Sequence, residues 1–189
     1  MLIDFFNYIL SAIFVFHIKL AKKICKISVV ISDSHSDINQ HILWRIKCIR
    51  PEILIHSGDW STIDVYYDLA EYCKKIIGVA GNVESLQTDE FFRQSEIIEI
   101  NNKKIFVIHE LENKSLFLEK NNKYDLVIYG HTHRPTKKKI RDTFFFNAGS
   151  CGPKRYSNIA PSFGVIYFFK NIFFCRIFKI PFQKRRVYF

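Results

Sequence analysis

The residues KISVVISDSHSD, numbers 26–37, combine a continuous apolar run with three ligand-capable residues directly behind it. The run KISVVI (26–31) is rich in β-branched residues and predicts a strand that is covered on both faces, as in a parallel sheet. Asp33 and His35 follow where that strand ends, and Asp37 has the spacing of a helix capping box to the glutamine three residues later. The stretch therefore predicts a buried strand, a polar cluster at its carboxyl end and a helix that begins at Asp37.

Apolar runs and helical patterns alternate along the rest of the first half of the chain. They predict a helix over 37–50, a strand over 52–56, a helix over 63–75 and a strand over 75–80. The second half predicts strands at 125–130 and 143–147, a helix near 113–121, and hairpins over 96–110 and 162–180 that turn at Asn101-Asn102 and Lys170-Asn171. The fold class that follows is α/β, with parallel strands first and antiparallel strands later.

The first 25 residues, which begin MLIDFFNYILSAIFVFHIKLAKK, are mostly apolar. Their lysines follow the apolar stretch, whereas a secretory signal carries its positive charge first. The apolar length from Phe5 to Ile18 is shorter than the roughly 20 residues that span a bilayer. We interpret residues 1–25 as a hydrophobic N-terminal extension and residues 26–189 as one domain, and an amphipathic helix or a weak membrane anchor stays open for the extension.

Composition indicates a packed globular protein with anionic partners. The chain has 189 residues, 48% of them hydrophobic and 16% aromatic, and a formal net charge of +10. This charge favours phosphorylated metabolites, nucleic acid or a membrane surface without choosing among them. The densest basic stretches, 134–141 and 184–186, are interpreted as a solvated strand edge or tail.

The five cysteines form no CxxC pair, which argues against a disulfide framework or a cysteine zinc site. This cysteine usage predicts a reducing compartment, hence a cytoplasmic protein.

Ligand-capable side chains follow five of the predicted strands. They are Asp33 and His35, Asp59 in HSGDW, Asn82 in GNVE, His109 in VIHE, and His131 with His133 in YGHTHRP. Each alone is common in a turn or on a surface, but the carboxyl ends of strands in an α/β sheet converge on one crevice. Oxygen and nitrogen ligands without thiolate suit Mn, Fe, Ni, Zn or Mg. Seven ligands are too many for one catalytic ion with open positions, so two ions that share a carboxylate account for the set better.

The motifs D-x-H, GD, GN and GH-x-H, in this order and spacing, resemble those of the calcineurin-like metallophosphoesterase superfamily. The segment FFNAGSCGPKR at 145–155 resembles the ending of its small bacterial phosphodiesterase branch. The resemblance covers residues 26 to about 180. It implies two packed mixed β-sheets flanked by helices, in four layers α/β/β/α.

The resemblance also implies two divalent ions, for which we expect Mn²⁺ ahead of Ni²⁺, Fe²⁺, Zn²⁺ or Mg²⁺. It assigns Asp33, His35 and His133 to one ion, Asn82, His109 and His131 to the other, and Asp59 to both. A hydroxide between the ions would attack the phosphorus, with Asp59, Asn82 and His131 as catalytic residues. No serine nucleophile is then required, and we expect Ser34, Ser36 and Ser150 to bond the backbone or form turns.

Two positions depart from the family pattern. Val83 stands where relatives often carry a histidine that can protonate the leaving group, which predicts weak acid assistance and a preference for good leaving groups. Glu110 and Leu111 stand where relatives often carry Gly-His, so a carboxylate could approach the site. Arg155 is the candidate residue for the substrate phosphate, with Arg134 as a second candidate.

The expected function is a dinuclear metal-dependent phosphodiesterase that acts on a small phosphodiester or nucleotide. A phosphomonoesterase or a dinucleotide polyphosphate hydrolase would share the same core chemistry. A protein-binding scaffold of the same fold, as in the retromer subunit, is the alternative from another class, but it predicts missing ligands, and all seven positions are filled. We do not expect nucleic acid as a partner because the single predicted domain has no second one to clamp a duplex, and an oligomer stays open.

Overall fold

The computed structural model describes residues 2–111, 123–152 and 159–180, and side chains from residue 12 onward in these ranges. Its helices are α1 (Leu2–Ala21), α2 (Gln40–Ile49), α3 (Asp64–Ala70) and α4 (Leu86–Phe91). Its strands are β1 (Lys26–Ile31), β2 (Ile53–His56), β3 (Lys75–Gly78), β4 (Ser95–Ile100), β5 (Lys103–Ile108), β6 (Leu126–Ile128), β7 (Thr136–Ile140), β8 (Thr143–Asn147), β9 (Ser162–Phe169) and β10 (Ile172–Lys179). Every strand predicted from the sequence is present.

The first sheet has the strand order β10-β9-β1-β2-β3. Strands β1, β2 and β3 are parallel to one another, as the alternation of strands and helices predicts. Strand β9 pairs antiparallel with both β1 and β10. Because the carboxyl ends of β1, β2 and β3 lie at the same edge of the sheet, the segments that follow them come together in space.

The second sheet has the strand order β4-β5-β6-β8-β7. Its three central strands are parallel, and β4 and β7 pair antiparallel with their neighbours at the two edges. The predicted hairpin turns are confirmed, with Asn101 and Asn102 at φ 50° and 58°, as a two-residue type I′ turn requires. Lys170 in the other hairpin turn has a φ of 45°.

The two sheets pack face to face and are flanked by helices, which confirms the predicted architecture. Apolar side chains from both sheets form a shared core: Val30, Ile55, Val107, Ile128, Phe146 and Ile166. The opposite face of the first sheet packs against helices α1, α2 and α3 through a second core that includes Ile18, Ile31, Ile42 and Leu69. A third cluster covers the outer face of the second sheet, and the helix predicted near 113–121 lies outside the described residues.

The prediction that α2 begins at Asp37 is wrong. Asn39 caps the helix, and its side chain accepts a hydrogen bond from the backbone N–H of His41 (3.1 Å). The Asp37 carboxylate instead accepts from the backbone N–H of Ile38 (2.7 Å). The Asn39 N–H donates to the Cys151 carbonyl (2.8 Å), which fixes Asn39 to a distant loop. The helix therefore begins only after Asn39, at Gln40.

Two further elements differ from the sequence-based prediction, and one basic stretch agrees with it. Helix α3 ends at Ala70, well before the predicted residue 75. Helix α4 was not predicted, and its N-cap is Ser85, whose hydroxyl accepts from the Thr88 N–H (3.3 Å). The basic stretch 134–141 contains the edge strand β7, in agreement with a solvated strand edge, whereas 184–186 lies outside the described residues.

Helix α1 lies within the predicted hydrophobic extension and packs on the first sheet through its second half. The Phe14 ring contacts the rings of Phe163 and Phe178, with centroids 6.4 and 5.4 Å away, and Ile18 is buried. Among the described residues, no helix is both long enough and apolar enough to span a membrane. The division of the chain after residue 25 stays a prediction.

Candidate metal centre

The seven predicted ligands come together at one edge of the paired sheets. Asp33 and His35 follow β1, Asp59 follows β2, Asn82 follows β3, His109 follows β5, and His131 and His133 follow β6. This placement confirms the expectation that the carboxyl ends of these strands converge.

One group consists of Asp33, His35, Asp59 and His133. One ligand atom from each of these four side chains lies within 4.8 Å of the others. The two imidazoles approach through their Nε2 atoms, which are 3.2 Å apart, and His133 Nε2 lies 3.4 Å from Asp33 Oδ1. These are the three residues that the family resemblance assigned to one ion, together with Asp59, to which it gave the bridging role.

The second group is arranged around the side-chain oxygen of Asn82. Asn82 Oδ1 lies 3.0 Å from His109 Nε2 and 3.0 Å from His131 Nδ1. The His109 and His131 rings are nearly perpendicular, at 89°, with centroids 5.4 Å apart. These three residues are the set that the family resemblance assigned to the other ion.

Asp59 lies between the two groups and presents one carboxylate oxygen to each. Its Oδ1 is 3.2 Å from His109 Nε2, and its Oδ2 is 3.5 Å from His35 Nε2. Oδ1 also accepts the backbone N–H groups of Asn82 (2.9 Å) and Val83 (3.1 Å). Burial by itself would raise the pKa of Asp59, but the hydrogen bond and charge of His109, together with His35, hold it at about 2.

The hydrogen bonds of His109 fix its tautomer. Its Nδ1 lies 2.8 Å from the Ser57 carbonyl, which can only accept, so Nδ1 carries the proton of the neutral ring. The Nε2 lone pair then faces Asn82 Oδ1 and Asp59 Oδ1. Burial would lower the pKa of His109, yet the Asp59 carboxylate raises it. Three acceptor atoms that converge in this way require a proton or a cation between them.

Asp33 provides an independent test of whether these residues fit a metal ion. It is fully buried, and its Oδ1 accepts from the His131 N–H (3.0 Å). Its Oδ2 accepts no hydrogen bond within the described part of the chain. Burial raises the pKa of Asp33 to about 6. A buried carboxylate oxygen beside two imidazoles is completed by a divalent cation, so the donor set fits the metal that the sequence predicts.

The backbone of the site is strained at most of the predicted ligands. Five of the seven have a left-handed φ: Asp33 (53°), His35 (49°), Asp59 (58°), His131 (67°) and His133 (56°). Residues other than glycine rarely adopt this conformation, and such strain concentrates at functional sites. The backbone pays a conformational free energy to hold these five side chains in place, which indicates that their positions serve function and not only packing.

Two glycines of the motifs allow the close approach of distant loops, a role that the sequence did not reveal. A Cβ at Gly81 would overlap the backbone and the carboxylate of Asp59. A Cβ at Gly130 would lie 2.7 Å from the Ser57 carbonyl and would also overlap the Ser32 hydroxyl. Glycine is therefore required at both positions because backbone and side-chain atoms of other segments occupy the space.

Glu84 is a further structural residue that the sequence did not reveal. Its carboxylate accepts three backbone N–H groups, from Gly81 (2.7 Å), Ser61 (2.8 Å) and Trp60 (3.1 Å). These bonds join the loop after β2 to the loop after β3, which carry Asp59 and Asn82. No local spacing signal identifies such a contact because its partners are more than twenty residues away for Trp60 and Ser61.

His56 has a structural role, and Ser34 and Ser150 have the structural roles that the sequence predicts. His56 is fully buried and stacks on Trp60 with ring centroids 3.5 Å apart, and burial lowers its pKa well below the usual range. The Ser34 hydroxyl bonds His56 Nε2 (3.0 Å) and the Asp59 carbonyl (3.3 Å). The Ser150 hydroxyl donates to the Asp33 carbonyl (2.8 Å), so both serines are engaged in structural bonds.

The solvent side of the site carries the residues that depart from the family pattern. Glu110 Oε1 lies 3.3 Å from His131 Nε2, so a carboxylate does approach the site as expected. A cavity of about 420 Å³ beside this pair is lined by Leu111 and Arg134, among others. Arg155, the candidate for the substrate phosphate, lies outside the described residues.

Three comparisons relate this chain to known proteins. A model of the calcineurin-like phosphoesterase superfamily domain matches residues 27–168. Phosphodiesterase MJ0936 of Methanocaldococcus jannaschii is 27% identical over 112 residues, which span 53% of this chain and 68% of that protein. Probable metallophosphoesterase MJ0623 of the same organism is 33% identical over 106 residues, which span 52% of this chain and 53% of that protein.

Solved structures share the fold at low sequence identity. Wild-type Vps29 complexed with Zn²⁺ from Entamoeba histolytica superposes with a TM-score of 0.64 at 21% identity, covering 81% of this chain and 98% of that one. A structure described as a novel archaeal phosphodiesterase has a TM-score of 0.64 at 24% identity, covering 80% and 99% of the two chains. These likenesses establish the fold of this chain.

Proposed function

Because this chain belongs to the calcineurin-like phosphoesterase superfamily, we propose that it is a phosphodiesterase that binds two divalent ions and hydrolyses a small phosphodiester or nucleotide. The curated phosphodiesterase relative supports the reaction class. The alignments span 68% and 53% of the two curated relatives, and the activity proposed for this chain therefore rests on its own site residues.

The observation that carries the proposal is the position of Asp59 between two ligand groups. One oxygen faces His109 and the other faces His35, at 3.2 and 3.5 Å. A carboxylate that lies between two imidazole-containing groups and presents an oxygen to each could be shared by two ions. The arrangement therefore supports two ions with Asp59 as the bridging residue.

The proposed roles follow from the geometry of each group. Asp33, His35 and His133 would hold one ion, and Asn82, His109 and His131 would hold the other. Two such ions acidify a water molecule and neutralise the oxygens of a phosphate. Mn²⁺ is the proposed metal, and imidazoles with hard oxygen atoms and no thiolate suit it as they also suit Ni²⁺, Fe²⁺, Zn²⁺ or Mg²⁺.

Exposure indicates where a substrate would enter. Asp33 and Asp59 are buried, whereas 40% of the His131 side chain is exposed beside the cavity of about 420 Å³. Arg134 lines this cavity and can bind phosphate oxygens through its guanidinium. A cavity of this size suits a small phosphodiester better than a long polymer.

Val83 refines the proposed substrate class. Its side chain is 44% exposed and cannot donate a proton to a departing oxygen. Since the leaving group then departs with less assistance, the rate is expected to depend steeply on the pKa of the leaving group. Substrates with aryl or phosphoanhydride leaving groups are therefore favoured over substrates with simple alkyl leaving groups.

The test is hydrolysis by protein stripped of metal with a chelator and then supplied with Mn²⁺. Bis(4-nitrophenyl) phosphate reports diester cleavage, and 4-nitrophenyl phosphate reports monoester cleavage. Asp59→Asn is the inactivating variant, and Asp37→Asn is its matched control. Asp37 is exposed, and within the described part of the chain its carboxylate accepts a hydrogen bond only from the neighbouring Ile38 N–H. We expect Mn²⁺-dependent diester cleavage in the wild type and in Asp37→Asn, and its loss in Asp59→Asn.

The outcomes distinguish the alternatives. Faster cleavage of the monoester would reassign the protein as a phosphomonoesterase with the same metal centre, and preferential cleavage of a dinucleotide polyphosphate would reassign it as a hydrolase of that class. Folded protein that binds Mn²⁺ without turnover of any of these substrates would contradict the enzymatic proposal. It would favour a scaffold, the alternative to which the fold shared with Vps29 points.

A further inference from the structure

Helix α1 carries a second apolar face that points away from the protein. Ile13, Phe16, Leu20 and Ile24 are exposed by 58, 70, 53 and 68%. Their spacing of three and four residues places them on one side of the helix and of the turn that continues it. The opposite side packs on the first sheet through Ile18, so these four residues are not required for the core.

Basic residues lie beside this apolar stripe. Lys19, Lys22 and Lys23 are exposed at the end of α1. Immediately beyond them is a cavity of about 450 Å³ whose basic lining residues are Lys22, Lys26, Arg50, Lys74 and Lys170. Glu52 is the only acidic residue among the described residues that line it. The cavity is therefore strongly cationic.

The apolar stripe and the basic cavity form one continuous surface. Ile24, the last residue of the stripe, also lines the cavity, and Lys22 belongs to both the helix end and the cavity. The Lys22 ammonium donates to the Arg50 carbonyl (2.8 Å), which fixes the end of α1 to the cavity wall. Burial and the nearby Lys74 and Arg50 lower the pKa of Lys22, although Glu52 opposes them.

We propose that the stripe Ile13-Phe16-Leu20-Ile24 and the adjoining basic cavity bind the surface of an anionic lipid bilayer. An apolar face flanked by lysines enters the boundary between headgroups and acyl chains, and the cations bind the lipid phosphates. A second copy of this chain is the poorer occupant because a symmetric contact would bring two cationic cavities together. The helix would lie in the plane of the surface, in keeping with the absence of a spanning helix among the described residues.

The orientation on such a surface leaves the metal centre accessible. Lys26 begins β1 and lines the cavity, whereas Asp33 follows the opposite end of the same strand. Six strand residues rise by roughly 20 Å, so the two sites lie at opposite ends of the first sheet. A bilayer bound at the cavity would leave the candidate metal centre facing the solution.

Vesicle flotation tests the proposal with two pairs of variants. Vesicles of phosphatidylcholine alone are compared with vesicles that contain about one quarter phosphatidylglycerol, at low and high salt. Phe16→Ser removes the most exposed residue of the stripe, and Leu86→Ser is its control because Leu86 is 86% exposed on α4. Lys74→Glu reverses a charge of the cavity, and Lys138→Glu is its control on the exposed edge strand β7.

We expect the wild type to float with the anionic vesicles only, and more strongly at low salt. Phe16→Ser should weaken binding about tenfold and Lys74→Glu about fivefold, while each control stays within about twofold of the wild type. Circular dichroism and thermal unfolding verify that each variant is folded. Vesicle flotation does not depend on the proposed phosphodiesterase activity, so its outcome is independent of that proposal.

Three results would overturn the proposal. The first is no flotation of the folded wild type with anionic vesicles. The second is a stable dimer in sedimentation velocity that Phe16→Ser dissociates, because the stripe would then be covered by a second copy. The third is saturable binding of inorganic phosphate that Lys74→Glu removes without any vesicle binding, since the cavity would then bind a free anion.

Discussion

Replacement of Asp33 by asparagine is expected to stabilise the metal-free protein. Burial raises the pKa of Asp33 from 3.8 to about 6, which means that folding disfavours the ionised carboxylate. A raised acid pKa makes stability fall as pH rises from about 4 to about 6, so the full cost is present at pH 7. The shift corresponds to at most roughly 3 kcal/mol, and because asparagine keeps a buried polar group we expect a gain of about 1–2 kcal/mol.

The same substitution is expected to remove the stabilisation by Mn²⁺. At a metal concentration about 100 times the dissociation constant, binding stabilises the wild type by about 2.7 kcal/mol. For a domain of this size each kcal/mol raises Tm by about 2–4 °C, so Mn²⁺ should raise the wild-type Tm by roughly 5–10 °C. Asp33→Asn should start a few degrees higher than the metal-free wild type and gain little from Mn²⁺.

Thermal unfolding of the chelator-stripped proteins with and without Mn²⁺ measures both effects. Asp37→Asn is the control, since it lies four residues away and its carboxylate is exposed. It should retain the wild-type response to Mn²⁺. A metal-free Asp33→Asn protein with a lower Tm and an unchanged Mn²⁺ response would refute the reasoning, because Asp33 would then be a structural carboxylate and not a ligand.

Three further predictions concern the same site. Gly81→Ala introduces a Cβ that overlaps Asp59 and should displace the loop that bonds this carboxylate, costing about 2–3 kcal/mol in chemical unfolding and abolishing the Mn²⁺-induced rise in Tm. Glu110→Gln weakens the contact that orients His131 and should lower Mn²⁺ affinity about tenfold in calorimetry, and an unchanged affinity would show that Glu110 has no such role. Mn²⁺ affinity should fall as pH decreases through about 6, because protons then compete for Asp33, and a constant affinity from pH 7 to pH 5 would contradict its role as a ligand.

The position of the predicted ligands could be derived from the sequence because it depends on strand ends. Each ligand directly follows an apolar run, and parallel strands bring those ends to one edge whatever the details of the loops. The hairpin turn at Asn101-Asn102 could also be predicted from the sequence, because two strand patterns are separated there by residues that tolerate the left-handed conformation of the turn. The spacing of nearby residues was therefore sufficient to predict the strands, their ends and the hairpin turns.

Local spacing failed where a distant segment decides the conformation. The pattern placed the start of α2 at Asp37, but the Cys151 carbonyl holds the Asn39 N–H and delays the helix. The sequence pattern gave Glu84 no role, although its carboxylate joins the loops of Asp59 and Asn82. The contacts of Glu84 with Trp60 and Ser61, and of Asn39 with Cys151, span more than twenty to more than one hundred residues, and the sequence of a single chain gives no sign of them.

The strained backbone of the site explains how the ligands keep their geometry. The left-handed conformation costs roughly 1–2 kcal/mol for a residue with a Cβ, so an isolated loop would relax away from it. Here the strained loops bond one another: the Asp33 N–H donates to the Gly58 carbonyl (2.9 Å), and the His35 N–H donates to the Asp59 carbonyl (3.0 Å). The His131 N–H closes the set by donating to the Asp33 carboxylate (3.0 Å). Since no one of these loops can relax without breaking a bond to another, they hold the predicted ligands in position, and the proposed metal would bind to a site that the fold has already formed.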